Sequence, residues 1–126
     1  MSTAAVRKRV LVVDDDAVYR ELLSIGLGAG GYEILVAENG IEAKKIVGAE
    51  AVDAVIVDML MPLMDGLRFI DWLRKEARNE VPVLVLTSVD DRALSVEAMV
   101  AGATDVVVKP VGLPQLTQRL GALLAS

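Results

Sequence analysis

Cysteine and histidine are both absent from the 126 residues. Without cysteine there is no disulfide scaffold, no thiolate nucleophile and no thiolate zinc site. Without histidine there is no Ser-His-Asp triad, no imidazole base and no imidazole metal ligand. Aromatic residues make up only 3% of a chain that is 54% hydrophobic, so its core must be mostly aliphatic. Long apolar runs are missing too. Despite a mean hydropathy of +0.50, charges or glycines interrupt every segment before the roughly 18 residues a membrane span needs. The opening MSTAAVRKRV lacks the apolar stretch and cleavage site of a signal peptide, so a cytoplasmic protein is expected. Basic excess is the last absence: the net charge of -5 argues against a nucleic-acid-binding patch. The length fits one domain over residues 1–126. What remains for chemistry is carboxylates, hydroxyls, lysine, arginine and backbone.

Five short aliphatic runs recur: Val10–Val13, Ile34–Val36, Val55–Val57, Val83–Leu86 and Val106–Val108. They are continuous rather than alternating, which predicts strands buried on both faces, as in a parallel sheet covered by helices. Between them lie stripes of helical period: Val18, Leu22 and Ile25; Leu67, Ile70 and Leu73; Leu94, Ala98 and Ala101; Leu116, Leu120 and Leu123. Ala43, Ile46 and Val47 mark a shorter helix after Asn39-Gly40. The order is (βα)5, an α/β chain with an open, doubly wound parallel sheet and right-handed crossovers. Gly26-Leu27-Gly28-Ala29-Gly30-Gly31 matches G-x-G-x-x-G, yet it closes the first helix instead of opening one. It therefore reads as a glycine-rich helix C-cap, not a dinucleotide loop.

In such sheets the site lies at the carboxyl ends of the strands. Those ends carry Asp14, Asp15 and Asp16, then Asp58, then Thr87 and Ser88, then Lys109-Pro110. Singly, each has a plain structural use. Asp16 is a helix N-cap, Asp65-Gly66 and Asp90-Asp91 are helix starts, and Asp14 and Asp15 serve equally well as turn residues. Together they differ. Asp14, Asp15 and Asp58 would repel one another unless a cation sits among them. All-oxygen ligands select a hard ion such as Mg2+. A metal beside a carboxylate, a lysine and a hydroxyl is equipment for phosphoryl transfer.

Val10-Leu11-Val12-Val13-Asp14-Asp15-Asp16 resembles the opening of response-regulator receiver domains, and Asp58 through Gly66 resembles their phosphoacceptor strand and loop. Val85-Leu86-Thr87-Ser88 resembles their hydroxyl position, and Ala101 through Pro110 their lysine-proline segment, with a cis proline. The resemblance spans essentially the whole chain and implies a flavodoxin-like sheet of order 2-1-3-4-5. It implies that Asp58 accepts a phosphoryl group from a partner phosphohistidine, on a sensor histidine kinase or a histidine phosphotransfer protein. Asp14, Asp15 and Asp58, with the Leu60 carbonyl, would hold Mg2+. Lys109, the Thr87 hydroxyl and the backbone amides of Met59 and Ser88 would contact the phosphoryl oxygens. A chemotaxis-regulator-like switch of this kind has no output domain and acts by docking on a downstream target, as a monomer or a phosphorylation-dependent homodimer, without contact to nucleic acid or membrane.

One position departs from the pattern. Val106 stands where the family usually has Tyr or Phe, and a small side chain stiff at χ1 cannot report the movement that an aromatic makes. Output is then expected through the loop after Thr87 and the fourth helix. Leu60 and Val89 are aliphatic where relatives are often polar; unable to orient an attacking water, they imply a long-lived aspartyl phosphate. Val96, Met99 and Val100 lie off the Leu94-Ala98-Ala101 stripe and either widen it or form an apolar docking patch. Trp72 reads as packing. Three other readings compete: a module cut from a longer regulator, an Mg2+-dependent phosphohydrolase with an aspartyl-phosphate intermediate, and a pseudo-receiver that binds without phosphate. The hydrolase would need a substrate-covering cap for which the chain has no spare length.

Overall fold

The computed structural model describes residues 7–61, 63–88 and 92–125; Pro62, Val89, Asp90 and Asp91 lie outside the described residues. Strands and helices alternate through the chain as β1 (Arg9–Val13), α1 (Ala17–Ala29), β2 (Glu33–Ala37), α2 (Gly40–Ala49) and β3 (Ala54–Asp58). They continue as α3 (Gly66–Lys75), β4 (Val83–Thr87), α4 (Arg92–Ala101), β5 (Asp105–Val108) and α5 (Leu113–Ala125). All neighbouring strands pair in parallel, in the order β2-β1-β3-β4-β5. This is the (βα)5 sheet expected from the aliphatic runs.

The period of two along each strand sorts the core into two layers. Leu11, Val13, Val55, Val57, Val83 and Val85 face α2, α3 and α4, against Ala43, Phe69, Ile70, Leu73 and Ala98. Val10, Val12, Ala54, Ile56, Leu84 and Leu86 face α1 and α5, against Leu23, Leu27, Leu116, Leu120 and Leu123. Burial on both faces holds for β3 and β4 throughout and for β1 beyond Arg9. The edge strands β2 and β5 are only half-covered, because each has one neighbour and fewer helices above it. Trp72 packs against the first layer with its ring stacked on Phe69, 6.2 Å between centroids, as expected of a packing residue.

The α1 stripe is a correction. Val18, Leu22 and Ile25 are 69%, 59% and 65% exposed, and the sheet-facing row is Tyr19, Leu23 and Leu27 instead. Helix α1 carries apolar residues in both rows, and either row has helical spacing, so periodicity sets the period but not the phase. The phase follows from where the helix starts. Asp16 caps it, its carboxylate accepting from the Val18 and Tyr19 amides at 3.0 and 3.2 Å. The glycine run ends it as expected: the Tyr32 amide donates to the Leu27 carbonyl and that of Gly31 to Gly28, with Gly31 at φ +99.

Candidate functional site

Parallel strands of nearly equal length bring their carboxyl ends to one edge, and the register decides which residues meet there. Val13 of β1 lies opposite Val57 of β3, so Asp14 and Asp58, each one residue further, stand side by side. Asp58 pairs with Leu86, which puts Thr87 one step beyond, and Thr87 pairs with Val108, which puts Lys109 next. Asp14, Asp58 and Thr87 are the three buried polar side chains among the described residues. Carboxylate oxygens of Asp14, Asp15 and Asp58 all lie within 4.8 Å of one another, with Asp14 buried and Asp15 exposed at the rim. The Lys109–Pro110 peptide bond is cis.

The Lys109 ammonium enters between the carboxylates. It donates to Asp14 Oδ2 at 2.9 Å and lies 3.8 Å from Asp58 Oδ2. The other Asp14 oxygen accepts from the Asp16 amide at 2.9 Å, so Asp14 is held on both sides. Asp58 is less well served, and burial pushes its carboxyl up to about 6. Lys109 and a hydrogen bond from the Leu60 amide oppose that shift, while the charge of Asp14 adds to it. For Lys109 burial pulls the ammonium down, but the Asp14 hydrogen bond and the charges of Asp58 and Asp14 outweigh it, leaving a net rise. The lysine is therefore charged at neutral pH.

The loop after β3 is shaped to fit close against Asp58. The Gly66 amide donates to the Met59 carbonyl at 3.0 Å, and a Cβ at Gly66 would stand 2.6 Å from the Asp58 carbonyl oxygen. Only glycine allows that approach. The expectation for Met59 needs correction here. Its amide donates to the Leu86 carbonyl at 2.9 Å, inside the β3–β4 ladder, and the amide facing the Asp58 carboxylate is that of Leu60. Ser88 is exposed directly after the buried Thr87, whose carbonyl accepts from the Lys109 amide at 2.6 Å. Two neighbours escaped the sequence reading. Arg20 donates to the Asp14 carbonyl at 2.6 Å, and the Tyr19 ring lies under Lys109 with 4.3 Å from Nζ to its centroid. Their position one turn into the helix that follows the acidic run is the signal that would have found them.

Away from this edge, Val96, Met99 and Val100 are 55%, 48% and 82% exposed, so they do not widen the buried stripe of α4. Val96, Met99 and Val100 line an open depression of about 470 Å³, together with Arg92, Asp105 and Val106. Val106 itself is half-buried against the first core layer.

The chain matches the response regulator receiver domain family over residues 10–121. It belongs to that family. Among curated relatives, response regulator MprA of Mycobacterium sp. (strain KMS) is 40% identical over 116 residues, covering 92% of this chain and 50% of that protein. MprA of Mycobacterium ulcerans gives the same identity and coverage. The receiver chain thus spans about half the length of the curated relatives it matches. Among solved structures, chemotaxis protein CheY4 of Vibrio cholerae superposes with a TM-score of 0.90 at 32% identity, covering 94% of this chain and 100% of that one. The Francisella response regulator 1452 receiver domain also gives 0.90, at 28% identity over 94% and 98% of the two chains. The fold is therefore the flavodoxin-like, CheY-like one with strand order 2-1-3-4-5. Receiver domains are signalling switches of two-component regulation, not typical turnover enzymes. No described helix is long and apolar enough to cross a membrane.

Proposed function

We propose that this receiver accepts a phosphoryl group on Asp58 from a histidine kinase or a histidine phosphotransfer protein. The observation that carries this reading is the arrangement of three carboxylates around one ammonium on a single sheet edge, with Lys109 reaching both Asp14 and Asp58. In the transfer an Asp58 oxygen forms a bond to phosphorus as the donor's phosphorus–nitrogen bond breaks, and that electron pair returns to the imidazole. Lys109 moves from Asp14 to the phosphoryl oxygens. The Thr87 hydroxyl and the amides of Leu60 and Ser88 supply further donors, Leu60 taking the place that the sequence reading assigned to Met59.

The donor set suits a hard divalent cation, since its three carboxylates offer only oxygen and Lys109 pairs with just two of them. Asp14, Asp15 and Asp58, with the Leu60 carbonyl, are the residues that would hold Mg2+. A metal held there would supply charge neutralisation for the phosphoryl oxygens.

Phosphorylation adds roughly two negative charges to an edge that is already acidic, which biases a two-state domain. The exposed Val96, Met99 and Val100 beside the Val106 depression are the surface on which a downstream target or a second receiver would dock. The shallow Val106 side chain leaves the signal to the loop after Thr87 and to α4. The aliphatic Leu60 side chain at the mouth of the site, 56% exposed, supports a long-lived aspartyl phosphate; Val89, its expected companion, lies outside the described residues.

Incubation with phosphoramidate and Mg2+ tests the assignment. Wild type takes up label stoichiometrically, and Asp58→Ala takes up none. Label that persists in Asp58→Ala would move the site elsewhere. Continuous turnover of phosphate esters would favour the phosphohydrolase, and an unlabelled wild type the pseudo-receiver.

A further inference from the structure

We propose that Tyr19 is a positioning residue for Lys109, its ring forming the third wall of the space that confines the ammonium. The inference rests on the reading of Lys109 as the group that pairs with the phosphoryl oxygens. A lysine ammonium sits on a flexible four-carbon stem, and its place in a site is only as definite as the walls around it. Two walls are Asp14, at 2.9 Å, and Asp58, at 3.8 Å. The third is the face of the Tyr19 ring, 4.3 Å from Nζ, well inside the roughly 6 Å over which an aromatic face attracts a cation.

The ring is itself fixed. Tyr19 sits one and two turns ahead of Leu23 and Leu27 on the sheet-facing row of α1 and packs into the second core layer. Its hydroxyl is buried and has no hydrogen-bond partner among the described residues. The hydroxyl thus takes no part in holding the lysine; the ring face does the work, and phenylalanine would serve. Beside the ring lies a cavity of about 230 Å³ lined by Tyr19, Leu22, Leu23, Val111 and Leu113. An aliphatic side chain in place of the ring would remove the face that attracts the ammonium and leave it freer to move off the carboxylates. Asp14 and Asp58 attract Lys109 but leave its direction of approach open. Tyr19 closes the side on which it would otherwise swing away.

The test combines a structural and a kinetic readout. In wild type the proton resonances of the Lys109 ε-methylene are shifted upfield by the ring. Tyr19→Phe keeps that shift and Tyr19→Met loses it. Labelling by phosphoramidate with Mg2+ slows about threefold to tenfold in Tyr19→Met, and Tyr19→Phe recovers most of the rate. In a Lys109→Met background the further change Tyr19→Met leaves the residual rate as it was. A core defect would slow both backgrounds alike, and that result overturns the proposal. So does a Tyr19→Met protein that labels as fast as wild type. Should Tyr19→Met not fold, the wild-type spectrum still decides, because an unshifted ε-methylene overturns the contact. Failure of the phosphoacceptor reading looks different: the wild type itself takes up no label, and the proposal falls with it.

Discussion

The two ends of the sheet handle charge in opposite ways. At the amino ends of the strands two arginines near the core each meet several oxygen acceptors. Arg9 donates to Glu50 at 2.6 Å, to Glu33 at 3.3 Å and to the Ala51 carbonyl, while its own amide donates to Asp53. Arg74 threads its guanidinium between the carbonyls of Gly102, Asn79 and Val81, tying the end of α3 to the start of β4 and the end of α4. At the carboxyl ends Asp14 and Asp58 share one lysine with Asp15 close by, and Asp58 is left with its carboxyl pushed up to about 6. One end spends its polar groups on joining elements. The other crowds its carboxylates together, an arrangement that a cation or further donors would stabilise.

That contrast can be broken most directly by removing one cation from each end. Lys109→Met should slow phosphoramidate labelling about a hundredfold, the scale of losing a charged donor from a phosphoryl-transfer site. Arg74→Met should leave that rate near wild type and instead cost about 3 kcal/mol in denaturant unfolding, since three carbonyls lose their donors. If both substitutions slow labelling and destabilise alike, the division between the ends is wrong.

A smaller effect sharpens it through pH. Because the folded carboxyl of Asp58 titrates near 6 and the unfolded one near 3.8, the folded state holds its proton more tightly. Stability without metal should therefore fall as pH rises from about 4 to about 6, then level off. Asp58→Asn should be more stable than wild type at pH 7 by about 3 kcal/mol, with the gain shrinking to nothing below pH 4. Urea unfolding across that range, in chelator, measures it. A mutant gain that does not vary with pH would mean that the ionised carboxylate is not what burdens the fold.

The smallest effect concerns the mouth of the site. Leu60→Asn, which places a polar group where water must approach, should speed decay of the aspartyl phosphate several-fold while leaving stability unchanged. Equal decay in the two proteins would remove the aliphatic mouth as the cause of a long lifetime.

How far the sequence could be read depended on which physical rule decided each feature. Strand positions and the site edge were legible because β-branched runs end in polar residues, and parallel pairing leaves those ends nowhere else to go. That alone brings Asp14, Asp15, Asp16, Asp58, Thr87, Ser88 and Lys109 to one edge, and the resemblance to receivers singles out Asp14, Asp15, Asp58, Thr87 and Lys109 among them. The face of α1 was not legible, since its two apolar rows satisfy the same period and the cap at Asp16 chooses between them. Nor was the choice of amide beside Asp58. Residue types say nothing about which N–H groups a ladder consumes, and the ladder takes that of Met59 and leaves that of Leu60. Tyr19 was overlooked for a related reason. An aromatic in a helical stripe reads as core, which it partly is, and only coordinates show what lies on its other face.

Two main-chain hydrogen bonds couple the strand ends mechanically. The Lys109 amide donates to the Thr87 carbonyl at 2.6 Å, and the Met59 amide to Leu86 at 2.9 Å. The ends of β3, β4 and β5 are thus riveted to one another within a residue of Asp58, Thr87 and Lys109. A displacement of Thr87 would carry the Lys109 main chain with it through that bond. The three groups work less like separate fingers than like one hinged plate. An event at Asp58 would thus reach β5 along main chain, without passing through the small Val106 side chain.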